Sequence, residues 1–408
     1  MVRRSILSCL FVAYAALHAS PVSAQSGAAQ PAAEPKPAAE IYGFAMLDMG
    51  ENAQQVDPNW YDVLRPSKLP ASPDQFGEDG HFFSSVRQSR LGVKMTAPTS
   101  LGDLNTKFEF ELFGVGTFAG ETTFRLRDAW GELGHFGAGQ TDSPFMDGSV
   151  FPNSIEYWGP NGMVYFKNVQ FRYTPVKGGA NELVVALERP GASGDAGVFA
   201  NRIELQNVKG RFPLPDLSGH YRRSGGWGHA QIAGIVRDMR WDDVLADQFD
   251  LGGRATGWGI NASSRLAVHK DGIDLEATYG KAIENYMNDA PIDVGVEPNV
   301  GNRVTPVLGE PLPVFAMLAF YDRTWNDKWT SSAGYSRLHI TTSSGQLPSD
   351  FKTGQYALAN LLYTPVSNVM AGGEFEWGRR DNNTDGFSSH DYRVQFSFKY
   401  SFSYKLGS

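Results

Sequence analysis

Asp391-Tyr-Arg-Val-Gln-Phe-Ser-Phe-Lys-Tyr-Ser-Phe-Ser-Tyr404 alternates without a break. Tyr392, Val394, Phe396, Phe398, Tyr400, Phe402 and Tyr404 share one face of an extended chain; Asp391, Arg393, Gln395, Ser397, Lys399, Ser401 and Ser403 share the other. Successive side chains of a strand point to opposite faces, so one face is wholly apolar or aromatic and the other wholly polar. At roughly 3.3 Å per residue and a tilt of about 45°, the segment rises about 30 Å, enough to cross a bilayer. An apolar outer face backed by a polar inner one is the pattern of a transmembrane β-barrel strand, although a soluble sandwich strand alternates too.

The N-terminus favours the barrel. Arg3 and Arg4, the apolar run Ile6 to Leu17 and the small-residue site Val22-Ser23-Ala24 make a secretory signal peptide over residues 1–24. Cys9, the only cysteine, falls inside it, so the exported chain must rest on burial and closed hydrogen bonding without disulfides. Loss of Arg3 and Arg4 takes the net charge from −8 to −10, which argues against a nucleic-acid partner. Residues 25–40 are Ala, Pro, Glu, Lys and Ser with almost no large apolar side chain, and read as a disordered tether ahead of a barrel over 41–408.

Beyond the tether no apolar run reaches the eighteen or so residues of a transmembrane helix. Alternating segments recur instead. Phe108, Phe110 and Leu112 oppose Lys107, Glu109 and Glu111; Val169, Phe171 and Tyr173 oppose Asn168, Gln170 and Arg172; Ile273, Leu275, Ala277 and Tyr279 oppose Asp274, Glu276 and Thr278. The 45 glycines and 12% aromatic content suit turns and interfacial aromatic girdles. Spread over sixteen strands, residues 41–408 allow about 23 per strand and connection; eighteen strands fit nearly as well. The expected fold is therefore all-β, one antiparallel transmembrane barrel. Pro98 to Asp103, Lys177 to Ala180, Lys270 to Gly272, Asn326 to Lys328 and Pro365 to Asn368 read as short periplasmic turns. Residues 48–80, the run Asp242, Asp243, Asp247 and Asp250, and Tyr286 to Pro313 read as long outer loops. Their acids are either simply solvated or bridge to lipopolysaccharide through divalent cations; no spacing matches a calcium loop.

The basic residues carry the functional expectation. Arg87, Arg90, Lys94, Arg125, Arg127, Arg172, Arg337 and Arg393 lie in strand-like segments, and most alternate opposite the apolar face. Guanidinium facing lipid costs about 2–4 kcal/mol at mid-membrane, so these groups are expected to line the lumen. Arg87 breaks the phase of its strand and calls for a bulge or a position above the membrane. Arg and Lys in a water-filled pore favour anions, and Arg grips a carboxylate with two hydrogen bonds. Pairing with Glu109, Glu111, Glu276 and Glu374 as a structural network is the other reading, and both can hold in one barrel. The histidines are scattered singly with no His-Glu-x-x-His pair, and no Gly-x-Ser-x-Gly elbow occurs. No metal, cofactor or catalytic group is expected, although a barrel hydrolase assembled from distant loops stays an alternative, as does a general porin without substrate preference.

The run Trp130-Gly-Glu-Leu133, then Gly139-Gln-Thr-Asp-Ser-Pro-Phe-Met-Asp147, Ser149-Val-Phe-Pro-Asn-Ser-Ile-Glu-Tyr-Trp-Gly-Pro-Asn-Gly-Met163 and Gln170-Phe-Arg-Tyr-Thr-Pro175, together with Asn360 to Pro365 and Gln395 to Phe402, resembles the DcaP-like outer-membrane porins. The resemblance covers essentially the whole barrel and implies a trimer of sixteen-stranded barrels passing small anions, dicarboxylates among them. It implies that Asp142 to Gly162 is an inward-folded third loop, with Asp142, Phe145, Asp147, Asn153, Glu156 and Trp158 at the constriction. Two departures stand out. Residues 25–40 are too short and Pro-rich for the helical extension some members carry, and Lys405 to Ser408 follow the last aromatic, so closure is expected near Phe402 to Tyr404.

Overall fold

The computed structural model describes residues 37–407; the expected signal peptide and residues 25–36 of the expected tether lie outside them. The closing strand behaves as its alternation requires. Tyr392, Val394, Phe396, Phe398, Tyr400, Phe402 and Tyr404 are 39–64% exposed, while Arg393, Gln395 and Ser397 are wholly buried. Large apolar side chains outside and polar ones inside invert a soluble core, as lipid outside and water inside demand.

Sixteen antiparallel wall positions form one continuous sheet. They are β1 (Ala38–Asn52), β2 (His81–Ser85 and Arg90–Thr99), β3 (Gly102–Phe113), β4 (Thr122–Leu133), β5 (Phe136–Asp142), β6 (Lys167–Val176), β7 (Asn181–Glu188) and β8 (Val208–Arg211 and Asp216–Gly225). There follow β9 (Gly228–Asp243), β10 (Gly253–Val268), β11 (Asp271–Lys281), β12 (Pro313–Thr324), β13 (Trp329–Ile340), β14 (Phe351–Val366), β15 (Val369–Asn382) and β16 (Ser388–Leu406). β2 and β8 are each interrupted, but both pieces of each pair with the same neighbour, β1 and β9 respectively. β16 pairs with β1 and closes the barrel, which leaves no free edge at the seam.

Closure runs further than the aromatic pattern implied. Lys405 and Leu406 pair with Glu40 and Ala39, so the seam takes in the last residues of the expected tether and two of the expected appendage. Register, not side-chain polarity, sets where a strand ends, and the backbone groups of Ala39 and Glu40 need partners whatever their side chains.

Short turns alternate with long loops, and each expected turn lies at a hairpin end. Ser367–Asn368, for example, joins β14 to β15 with Asn368 at φ 71°, a left-handed position that Asn tolerates. The long connections at the other end are L1 (53–80), L2 (114–121), L3 (143–166), L4 (189–207), L5 (244–252), L6 (282–312), L7 (341–350) and L8 (383–387). L6 carries its own hairpin, Val294–Pro298 with Val307–Pro311.

L3 folds into the barrel. Between it and the wall of β9 to β14 lies a dry core in which Phe145, Met146 and Val164 pack with Ala233, Ile235, Val314, Ala316, Leu338 and Ile340. A second cluster joins Val150 and Met163 of L3 to Leu64 and Leu69 of L1 and to Leu318, Phe320, Tyr356 and Leu358. The lumen between L3 and the wall of β9 to β14 is therefore filled largely with apolar side chains.

Candidate functional site

L3 is fastened along its length by the inner faces of successive strands. His220 and Arg222 of β8 reach Pro144 and Asp147, and Gln231 of β9 donates to the Met146 carbonyl at 3.1 Å. Glu276 of β11 accepts the Val164 N–H at 2.6 Å. Asp322 of β12 accepts the Asn153 N–H at 3.2 Å, and Ser336 of β13 that of Gly162 at 2.8 Å. Glu374 of β15 accepts the N–H groups of Ile155 and Glu156 at 3.1 and 3.0 Å. A Cβ at Gly162 would sit 2.5 Å from the Arg337 carbonyl oxygen, so only glycine lets L3 lie flush on β13. Backbone with no ladder partner is tolerated here because wall side chains satisfy it.

The opening is left on the other side, against β16 and β1 to β8. It is a cavity of about 940 Å³ lined by eight Arg or Lys side chains, Arg90, Lys107, Arg125, Arg127, Lys167, Arg172, Arg222 and Lys399, against four carboxylates, Glu109, Asp142, Glu156 and Glu182, so cations dominate its surface. The carboxylates that balance most of them stand behind. Side chains of Arg90, Arg125 and Lys107 are 25%, 28% and 31% exposed, whereas their partners Glu111 and Asp128 are at 0%. On this stretch water meets positive groups first; at Asp142 and Glu182, more exposed than the Lys167 and His220 they bind, the order reverses.

Arg127 is the strut of this wall. A bulge opposite Glu109 and Phe110 sets Arg127 and Asp128 side by side with both side chains inward. Arg127 binds Glu109 at 3.1 Å and Glu111 at 2.8 Å and donates to the hydroxyls of Tyr157 and Tyr165 of L3 at 3.2 and 2.9 Å. Asp128 takes Lys107 at 2.8 Å and Lys167 at 3.2 Å. Arg172 and Lys399 have no carboxylate partner among the described residues; they lie over Trp130 and Phe44 at 5.0 and 4.2 Å.

Of the residues singled out in the sequence, Arg90, Arg125, Arg127 and Arg172 meet at the cavity, and Lys94 is exposed on the same inner face lower down, 4.5 Å from the Tyr42 ring. Three are placed elsewhere. Arg87 sits in the break of β2, wholly buried, where it binds Asp62 of L1 at 2.5 Å and the Gly114 carbonyl at 2.9 Å. Arg393 points inward but is roofed by L1, donating to the Asp62 carbonyl at 2.7 Å. Arg337 shares the outward face of β13 with Tyr335, because Ser336, Leu338 and Ile340 turn inward toward the dry core behind L3. The rule that arginine faces the lumen fails where the lumen is dry.

The constriction residues divide likewise. Asp142 is the last residue of β5 and holds Lys167, and L3 runs on to Phe166, beyond the expected Gly162. Glu156 lines the cavity, but Phe145 is buried behind L3 against Tyr286, so it does not narrow the passage. Asp147 is a buried anchor for Arg222, His229 and Ser263. Asn153 ties L3 to Thr330 and Asn360 outside the cavity. Trp158 borders the cavity and clamps the Arg65 guanidinium of L1 together with Trp60, at 3.9 and 4.1 Å, while Arg65 binds Asp289 of L6. Lys107, Lys167, Arg222 and Lys399 complete the cationic lining beyond that set. Arg222 shares its parity with Ser218 and His220, opposite Leu217 and Tyr221, and could be read from the sequence, but Lys167 has outward parity and reaches Asp128 where β4 and β5 no longer pair. Of the acidic outer loops, the L5 region caps itself: Asp243, Asp247 and Asp250 accept backbone N–H groups of Leu245, Phe249 and Gly252.

A sixteen-strand barrel with lipid-facing aromatics and an inward third loop beside an aqueous opening defines an outer-membrane porin. The description "DcaP outer membrane protein" matches residues 79–289, just over half of the chain, and the chain belongs to that family. The fold is similar to the outer membrane channel DcaP of Acinetobacter baumannii, with 22% identity over 90% of this chain and 98% of that one and a TM-score of 0.72. It is also similar to the anion-selective porin from Comamonas acidovorans, at 9% identity over 90% and 100% of the two chains and a TM-score of 0.58. The trimer form of OmpT, an outer membrane protein of Vibrio cholerae, matches at 12% identity over 90% and 100% with a TM-score of 0.53. No curated protein sequence matches the chain.

Proposed function

We propose that the barrel is a passive channel preferring small, carboxylate-bearing anions, dicarboxylates included. The observation that carries this reading is the layering of charge at the opening, with guanidinium and ammonium groups toward water and their carboxylates buried behind them. A fixed positive surface in a narrow aqueous passage raises the local anion concentration and repels cations, and two adjacent guanidinium forks such as Arg90 and Arg125 suit a carboxylate. L3 sets the size limit, and no energy coupling or catalytic step is needed. In this reading residues 1–24 are removed on export and the chain assembles as a homotrimer. The short strands β5 to β7 support the assembly, as does the backbone edge of Thr122–Asp128, which has no strand partner toward β5 among the described residues.

Reversal potentials across a planar bilayer in a salt gradient test the reading. The expected result is an anion-to-cation permeability ratio above one that falls several-fold in the triple variant Arg90→Gln, Arg125→Gln, Arg172→Gln. A cation-selective pore, unaltered by those changes, overturns it.

A further inference from the structure

The outward wall of β13 to β16 breaks the apolar rule along one line. Register sets Arg337 beside Gln355, Gln355 beside Arg379, and Arg379 beside His390, a single row across four neighbouring strands, all on the lipid-side parity. The row below it is Tyr335, Ala357, Trp377 and Tyr392, three of its four members aromatic with a polar tip. Above it come His339, Thr353, Asp381 and Ser388. Aromatic belts mark the level where acyl chains give way to headgroups. Arg337 lies eight residues beyond Trp329, which stacks on Tyr363 at the turn end at 4.5 Å. At about 3.3 Å per residue and about 40° of tilt that is about 20 Å higher, near the upper margin of an apolar band about 25 Å tall.

The row is cationic and short of partners. Arg337 is exposed and its guanidinium makes no hydrogen bond or ion pair among the described residues. Arg379 is 44% exposed and shares only Asp381, at 2.8 Å. Gln355 accepts the Tyr335 hydroxyl at 2.8 Å, which leaves its amide N–H groups free to donate, and His390 stands exposed beside Tyr392. On the outward face of β9 and β10 charges are matched: Asp238 holds Arg240 and Arg254 at 2.7 and 2.6 Å. Two guanidinium forks rooted about 10 Å apart, two strands removed, can close on one tetrahedral oxyanion between them.

We propose that this row is a docking site for the phosphorylated headgroup of an outer-leaflet glycolipid, with Arg337 and Arg379 on the phosphate, Gln355 donating between them, and the acyl chains running down over Trp377 and Tyr392. The site faces lipid and is independent of which solute the lumen prefers. Native mass spectrometry of the detergent-purified protein, titrated with diphosphorylated lipid A and with its dephosphorylated counterpart, tests it. The wild type is expected to retain the phosphorylated lipid and not the other, and Arg337→Gln with Arg379→Gln to lose at least ten-fold in retention while single-channel conductance is unchanged. Should the double variant fail to fold, as read by heat-modifiable gel mobility, Arg337→Lys, which keeps charge but loses the fork, is expected to show a smaller loss. Equal retention by wild type and whichever variant folds overturns the proposal, as does equal retention of both lipids. A change in oligomeric state with lipid retention unaltered assigns the row to a second copy of the chain, and overturns it too.

Discussion

Along β11 and β15, Glu276 and Glu374 accept backbone N–H groups of L3, and Asp322 of β12 divides its two oxygens between L3 and Arg265. Along β3 and β4, Glu109, Glu111 and Asp128 accept from guanidinium and ammonium groups instead. Both sets point inward from strands of the same barrel, and sequence alternation cannot tell them apart. What differs is the facing material. Where loop backbone arrives, a carboxylate satisfies one orphan amide, or two at Glu374, and the surface becomes dry. Where water arrives, the carboxylate recruits a cation, and that cation becomes the surface the solute meets. The acids of one wall thus fix the shape of the pore and those of the other its sign.

The strongest way to break this division is Arg127→Ala. It leaves Glu109 and Glu111 short of their buried partner and frees two tyrosines of L3, a loss expected to cost about 3–5 kcal/mol. A marked fall in the temperature at which the folded band is lost on a gel is the expected readout, whereas Arg90→Ala, a quarter exposed at the cavity, should shift the reversal potential with little change in that temperature. Equal thermal effects for the two would mean the wall is not layered.

On the opposite wall, Glu374→Ala strands the amides of Ile155 and Glu156, at about 2–4 kcal/mol of local stability. L3 should then lift, and single-channel conductance should rise and become noisier, while Glu374→Gln keeps one acceptor oxygen and stays near the parent trace. An unchanged conductance in Glu374→Ala would show that the dry core alone holds L3.

The smallest effect lies at the loop crown, outside both walls. Burial, then the nearby Asp195 of L4, pushes the L7 carboxyl of Asp350 up to about 6. A carboxyl raised on loop closure binds more protons closed than open, so closure weakens as pH rises from about 4 to about 6 and is constant above. Protease cleavage of L4 should increase modestly over that window and be flat with pH in Asp350→Asn.

The barrel was legible because alternation is imposed by two solvents at once, and Tyr392 to Tyr404 record both. Arg90, Arg125 and Arg172 were legible for the same reason. Arg337 and Arg393 were not, and for opposite causes. Arg393 has lumenal parity but is covered by L1, whose path depends on Asp62 and Leu64, far away in sequence. β13 has Ser332, Gly334 and Ser336 on its inner face, where Gly162 lies flush on Ser336, so its hydrophobic pattern carries no clear phase. Loop coverage is a long-range property, and no local window holds it.

The seam between Ala39 and Leu406 carries a consequence in time. The two strands that close the cylinder are the first and the last of the barrel, so the contact that removes their two edges spans nearly the whole chain. Non-local pairings of this kind are slow to form, and until they do the backbone donors and acceptors of both strands are open to pairing with any other extended segment. Closure of the seam therefore also ends the hazard that these two long edges carry, and a substitution that delays β16 should harm yield long before it harms the finished channel.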